Sequence, residues 1–301
     1  MKNKTMLGNV LLLLTAMIWG TAFAFQRAGM ESVEPFTFTA ARMFLAALAA
    51  GAASLFFSGR EKLPEKERRA KNRATVLGGI VCGLFLAAAS LFQQVGIVTT
   101  TAGKAGFITA LYILLVPVLN FVLFQKKSGL HVWLAIAAGV AGMYLLCMTE
   151  GFRLTKGDAL VCACAIVFSG HILCADHFAP RGDPVRISAI QFLVVSLVAL
   201  VLALAFEKPS WAALRSAAVP ILYCGVMSGG VGYTLQMVAQ GFTDPTVASL
   251  LMSMEAVFAV LGGALLLHER MSGRELLGCV IMFTAIVLVQ LPAPGRRKSA
   301  E

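Results

Sequence analysis

The chain has 301 residues, of which 58% are hydrophobic and only 13% charged, and its mean hydropathy is +0.82. Soluble domains carry about 25% charged residues, so this composition excludes an ordinary soluble enzyme. The formal net charge of +10 does not point to nucleic acid either, because the charges are confined to short stretches between long apolar runs.

An apolar run of about 20 residues crosses the hydrocarbon core as a helix. Ten such runs are predicted, at 7–27, 34–57, 75–97, 102–124, 132–149, 157–178, 186–206, 217–240, 246–267 and 274–291. The first, in "MKNKTMLGNVLLLLTAMIWGTAFA", has the look of a secretory signal with a small-x-small cleavage site. With nine further runs behind it, it reads as an uncleaved first helix, with Trp19 at mid-depth. Arg42 lies seven residues past Pro35 in the second run, about 10 Å along the helix. An arginine does not shed its charge, so it needs an anionic partner or water. Glu255, a substrate carboxylate or a phosphate would serve, and snorkelling to the nearer surface is the alternative. The segment "SGREKLPEKERRAKNRA" reads as a solvated loop near anionic headgroups. Gln93 and Gln94 follow in the third run and are expected to face the bundle interior.

At the fourth run, "TTTAGKAGFITALY" mimics a phosphate-binding loop. The match fails, because the position five before Gly103 is Val98 and the residue after Lys104 is Ala105, leaving no first glycine and no hydroxyl for magnesium. Lys104 instead lies near a membrane surface, where it snorkels outward or attracts an anion. Tyr112 falls at mid-depth, away from the interfacial belts where tyrosine is common, and suits a cavity wall. His171 in the sixth run reads as a hydrogen-bonded packing group or a proton relay. Tyr233 and Gln236 in the eighth are expected to face the interior.

Glu255, in "LLMSMEAVFAVLGG", lies ten residues after Pro245, about 15 Å along the ninth helix and near the midplane. It reaches neither surface. A carboxyl at that depth can become neutral by taking up a proton. It is a proton carrier or a ligand for a substrate amine, or else a protonated packing residue. The seven cysteines all fall inside runs and read as small packing residues. No metal-binding cluster, catalytic set or ATP-binding motif emerges, so no cofactor is expected and an enzyme is not the preferred reading.

The lysines and arginines are unevenly distributed. Ten crossings put both termini on one side, with sixteen Lys/Arg against seven on the other. The positive-inside rule then places both termini in the cytoplasm. The halves also resemble each other. "LGNVLLLLTAMIWGTAFAF" pairs with "KGDALVCACAIVFSGHILC", with Gly8 matching Gly157 and Pro35 matching Pro184 at an offset of 149, and "CGLFLAAASLFQQ" pairs with "CGVMSGGVGYTLQ" at 142. Residues 1–150 and 151–301 are therefore read as two five-helix repeats. An odd number of spans inverts the second copy, an architecture recurrent in transporters with the site between the halves. The small-xxx-small pairs Gly225/Gly229, Ser228/Gly232, Ala102/Gly106 and Ala259/Gly263 fit close helix approach.

"AMIWGTAFAFQRAG", Arg42, "TTTAGKAGFITALYILLVP" and "SLLMSMEAVFAVLGGALLLHERMSGRELLG" together resemble the EamA-type members of the drug/metabolite transporter superfamily. The resemblance implies an all-α integral membrane protein with ten helices in two inverted repeats, a central cavity, and transport of small metabolites. Two departures are visible. Ala256 follows Glu255 where the family often has proline, which questions a kink in helix nine, and only Glu269 keeps the acidic residue of the family's Glu-Arg pair. The expectation is a secondary transporter of the cytoplasmic membrane that exports a small amphiphilic solute, such as an amino acid or a drug. Trp19, Arg42, Tyr112, His171, Tyr233, Gln236 and Glu255 would line the path, and Glu255 would carry a coupling proton if there is one. An exchanger of phosphorylated anions, using Arg42 and Lys104, and a non-transporting membrane protein stay open. Monomer and homodimer are both compatible with the sequence.

Overall fold

The computed structural model describes residues 2–57, 63–100, 102–126, 128–147, 155–258 and 272–290, and all regular structure among them is helical. The elements are α1 (Lys2–Gly29), α2 (Pro35–Phe57), α3 (Glu65–Gly96), α4 (Ala102–Ala110), α5 (Tyr112–Phe124), α6 (Leu130–Cys147), α7 (Lys156–Phe178), α8 (Pro184–Phe206), α9 (Trp211–Ser216), α10 (Ala218–Leu222), a π-helical segment (Tyr223–Tyr233), α11 (Thr234–Gln240), α12 (Pro245–Met252) and α13 (Gly273–Gln290). Among the described residues, seven helices are long and apolar enough to cross a bilayer, and Leu130–Leu145, Pro245–Phe258 and Leu276–Leu288 are shorter apolar helices. Their outward surfaces carry exposed Leu55, Phe56, Val201, Leu204, Phe206 and Phe283, as lipid contact requires.

Local chemistry sets the helix starts. Asp183 accepts from the Val185 and Arg186 amides, each at 3.1 Å, and Pro184 occupies the first turn of α8. Asp244 and Pro245 do the same for α12, with Thr246 N donating at 2.9 Å. Both pairs follow the preference for an acceptor at the cap and proline just inside. Thr155 and Asp158 form a reciprocal capping box on α7.

Three elements differ from the sequence expectation. The charged segment is not wholly a loop, because α3 begins at Glu65. Pro64 precedes it, Glu65 and Glu67 complement the helix dipole in the first turn, and Arg69 pairs with Glu65 one turn on at 2.5 Å. The fourth span breaks at Leu111, where Leu111 N bonds Ile108 O and Leu114 N bonds Leu111 O in i→i+3 closures. The ninth breaks at Ser253–Met254 and resumes at Glu255, without a proline. Here the Ser249 and Ser253 hydroxyls bond back to Thr246 O and Leu250 O, which weakens the helical ladder. The remainder of this span, including the Ala259/Gly263 pair and Glu269, lies outside the described residues.

Hydrogen bonds between helix ends define two faces. At one, Thr243 Oγ1 meets Asn9 Oδ1, Asp183 N donates to Thr75 Oγ1, and Lys126 pairs with Asp176 at 4.0 Å. At the other, Arg27 donates to the carbonyls of Ile97 and Val98, and Thr100 Oγ1 donates to Asp158 Oδ1 at 2.6 Å. The Glu207 carboxylate at the end of α8 accepts from the Phe36 and Thr37 amides and the Thr37 hydroxyl at the start of α2. Successive spans thus run up and down, and α2 and α8 pack antiparallel. The first face carries Lys4, Lys66, Arg68, Arg69, Lys71, Arg73, Lys126, Arg181 and Arg186, and is called the basic face below.

The halves meet on small residues. A Cβ on Gly225 would lie 2.8 Å from Arg42 O, one on Gly229 2.6 Å from Ala46 Cβ, and one on Gly232 2.7 Å from Trp19 Nε1. The π-helical segment therefore approaches α1 and α2 almost backbone to backbone. Gly106, by contrast, is in ordinary contact, its Cβ position 3.7 Å from the Phe23 ring, so the Ala102/Gly106 spacing does not mark a close crossing.

Candidate functional site

A narrow cavity of about 30 Å³ opens between the halves. Its wall combines Trp19, Ala22, Phe23 and Gln26 of α1, Arg42 of α2, Ala89, Ser90 and Gln93 of α3, Thr109 of α4, Cys164 and Phe168 of α7, Ser228 and Tyr233 of the π-helical segment, and Glu255. All of these lie at mid-span or toward the face opposite the basic one, so the cavity reaches from the centre toward that second face.

Its deep end is aromatic. Trp19 and Tyr233 rings are 4.5 Å apart, and Phe168 lies edge-on to both at 6.0 and 6.1 Å. The Trp19 indole donates to Ser228 O at 3.1 Å, and the Thr15 hydroxyl donates to Gly232 O at 3.1 Å. Both acceptors are carbonyls of the π-helical segment, a geometry that recurs at functional sites. The glycines bring those carbonyls within reach.

One basic and one acidic side chain face this space. Arg42 is only 2% exposed. Its Nε is buried without a hydrogen-bond partner, and no described carboxylate lies within 4.0 Å of its guanidinium. The Phe38 ring, 5.8 Å away, offers a cation–π contact. Snorkelling is thereby excluded for this conformation, and so is direct pairing with Glu255. Glu255, 3% exposed, begins the resumed helix after the Ser253–Met254 break. It accepts a hydrogen bond from the Tyr112 hydroxyl at 3.3 Å. Tyr112 itself begins α5 just after the Leu111 break, so two interrupted helices meet through this bond.

The sequence-predicted residues divide accordingly. Trp19, Arg42, Tyr233 and Glu255 converge on the cavity. Tyr112 stands behind Glu255, fully buried, and off the cavity wall. His171 and Gln236 also lie off the wall: His171 Nε2 bonds Gln191 Oε1 at 3.0 Å, and Gln236 donates to Gln240. Gln93 reaches the cavity and donates to Thr109 at 3.2 Å, whereas Gln94 is buried with both amide atoms unpartnered. The backbone of Lys104 lies in α4; its side chain is outside the described residues. Gln26, Ser90, Thr109, Cys164, Phe168 and Ser228 were not anticipated. Phe168 had a signal, because Trp19 maps onto it at the offset of 149.

The fold and site define a helical integral membrane protein with a central, partly polar cavity. The EamA-like transporter family model matches residues 6–148 and again 155–291. The chain is 25% identical over 280 residues to an uncharacterized transporter of Archaeoglobus fulgidus, covering 93% of this chain and 84% of that one. It is 24% identical to the uncharacterized transporter YwfM of Bacillus subtilis, covering 98% of each. A solved crystal structure shares the fold with a TM-score of 0.76 at 18% identity, over 94% of this chain and 96% of the other. The chain belongs to the EamA-like transporter family, within the drug/metabolite transporter superfamily. It is an integral membrane transporter whose cargo is a small molecule.

Proposed function

We propose that the protein is a secondary transporter of the cytoplasmic membrane that exports a small amphiphilic metabolite, such as an amino acid, by alternating access. The unpaired Arg42 guanidinium on the cavity wall carries this reading. A buried guanidinium without a counter-ion is costly, and a solute carboxylate at the cavity supplies the missing partner. Glu255 offers an acceptor for a solute amine or a site for a coupling proton. The Trp19, Phe168 and Tyr233 rings offer faces to an apolar portion. Ten spans as two inverted repeats, residues 1–150 and 151–301, with both termini cytoplasmic, complete the proposal; the repeat offsets and the alternating helix ends support it.

Metabolite profiling of the medium from overexpressing and deletion cells tests it. A zwitterionic solute should rise in the first and fall in the second, and no difference across a broad panel would refute export. The second reading, exchange of phosphorylated anions, draws on the same free Arg42. Proteoliposomes separate the two: flux of a neutral or zwitterionic solute driven by a pH gradient supports the first, and obligatory counter-exchange with phosphate supports the second.

A further inference from the structure

Beneath the aromatic floor, on the side of the basic face, lies a cluster of polar side chains that the open cavity does not use. His171 stacks under Phe168 with ring centroids 5.3 Å apart and planes 11° from parallel. Its Nε2 meets Gln191 Oε1 at 3.0 Å. Gln236 Nε2 donates to Gln240 Oε1, and Gln240 Nε2 donates to the carbonyl of Ile172, each at 3.0 Å. Gln191 and Gln240 therefore bond to residues 171 and 172, Gln236 joins them through Gln240, and all four side chains are almost wholly buried. Three of them keep a buried polar atom with no partner: His171 Nδ1, Gln191 Nε2 and Gln236 Oε1. Buried unpaired polar atoms are rare and destabilising, and three in one cluster point to a state in which they are occupied.

The internal repeat says what that state is. At the offset of 149, Ala22 maps onto His171 and Arg42 onto Gln191, while Trp19 maps onto Phe168. Ala22 and Arg42 line the open cavity. Their mates lie just beyond the aromatic floor on helices running in the opposite direction. Residues past Trp19 face the open side, and residues past Phe168 face the closed side.

We propose that His171, Gln191, Gln236 and Gln240 form the basic-face half of the solute path, closed in this conformation by the Trp19–Phe168–Tyr233 layer. The inference rests on the transport reading above. The chamber offers hydrogen-bond donors and acceptors where its mate offers a fixed positive charge. An anionic group held by Arg42 on one side therefore meets glutamine on the other, and the two half-sites differ in their hold on an anion.

Single cysteines in a chain whose seven native cysteines are replaced test the assignment. The probe is a membrane-impermeant methanethiosulfonate, applied to whole cells and to inverted vesicles and read as a mass shift. Ser90→Cys reports the open cavity, and Val195→Cys, fully buried in α8, is the unreactive control. The expected result is labelling of Gln191→Cys and Gln240→Cys only from the face opposite to the one that labels Ser90→Cys. These two sites are on different helices, so misfolding of one variant leaves the other informative. If Ser90→Cys is labelled while both glutamine positions stay as silent as Val195→Cys, or are labelled from the Ser90 face, the chamber is refuted and the cavity stands. If Ser90→Cys is silent from both faces, the cavity reading falls and takes the chamber with it.

Discussion

At the residue scale, Arg42 and Glu255 make separable claims. Arg42 lacks a described carboxylate partner, so its proposed role is to meet an anionic group that enters the cavity. Replacing Arg42 with alanine removes a charge-assisted hydrogen bond worth about 1.5–3 kcal/mol, or roughly ten- to hundredfold in affinity for an anionic solute. Flux titrations should show this as a raised KM, and an unchanged KM would place the solute's anionic group elsewhere. Glu255→Gln keeps the shape of the group and its acceptor oxygen for Tyr112, but not its ability to exchange a proton. Uptake driven by a pH gradient should be lost, while exchange between loaded vesicles persists; intact gradient-driven uptake would remove Glu255 from coupling. Both residues were legible in the sequence because an ionisable group at mid-span is costly enough to need a reason. Gln26, Ser90, Thr109 and Ser228 were not, since small polar residues are common in membrane helices and only the folded arrangement shows which of them face the cavity. Tyr112 was legible as a central residue, but its bond to Glu255 depends on two helix breaks with no proline at either position.

At the element scale, the π-helical segment does most to shape the site. Its glycines bring it against Arg42, Ala46 and Trp19 and leave two carbonyls for Thr15 and Trp19. The small-xxx-small spacing made the close approach predictable at Gly225, Gly229 and Gly232, but the same spacing also picked out Gly106, where space is available. Apolar periodicity does not distinguish a π-helix from an α-helix over so few turns, so that feature was hidden. Paired substitutions exploit the contrast. Gly229→Ala puts a methyl 2.6 Å from Ala46 Cβ and should cost about 1–3 kcal/mol through overpacking. Gly106→Ala meets only ordinary contact and should be neutral or stabilising by about 0.4–1 kcal/mol. Thermal unfolding in detergent should therefore lower Tm for the first variant and not the second. Equal losses would mean that the segment does not pack as described.

At the scale of the whole molecule, the question is how many times the chain crosses. Seven long spans alone would leave the two termini on opposite sides, whereas adding the three shorter apolar helices restores an even number. The packing of α6 against α13 bears on this. A Cβ on Gly142 would lie 2.8 Å from Gly278 O, so the two helices touch closely. The Arg274 guanidinium, at the start of α13, stands 5.5 Å over the Tyr144 ring near the end of α6. The two helices are thus antiparallel, and since α6 starts beside Lys126 on the basic face, α13 ends there. The N-terminus lies on the same face, where Lys4 stands 5.9 Å over the Phe242 ring and Asn9 meets Thr243. Even crossing follows from this arrangement if the short helices span, and in the proposed topology the excess of Lys/Arg on the basic face assigns that face to the cytoplasm. A fluorescent protein fused at either end should then fluoresce, and alkaline phosphatase fused at either end should be inactive. One active and one inactive phosphatase fusion would mean that a short helix fails to cross, which would break the inverted-repeat pairing and with it the equivalence of Arg42 and Gln191.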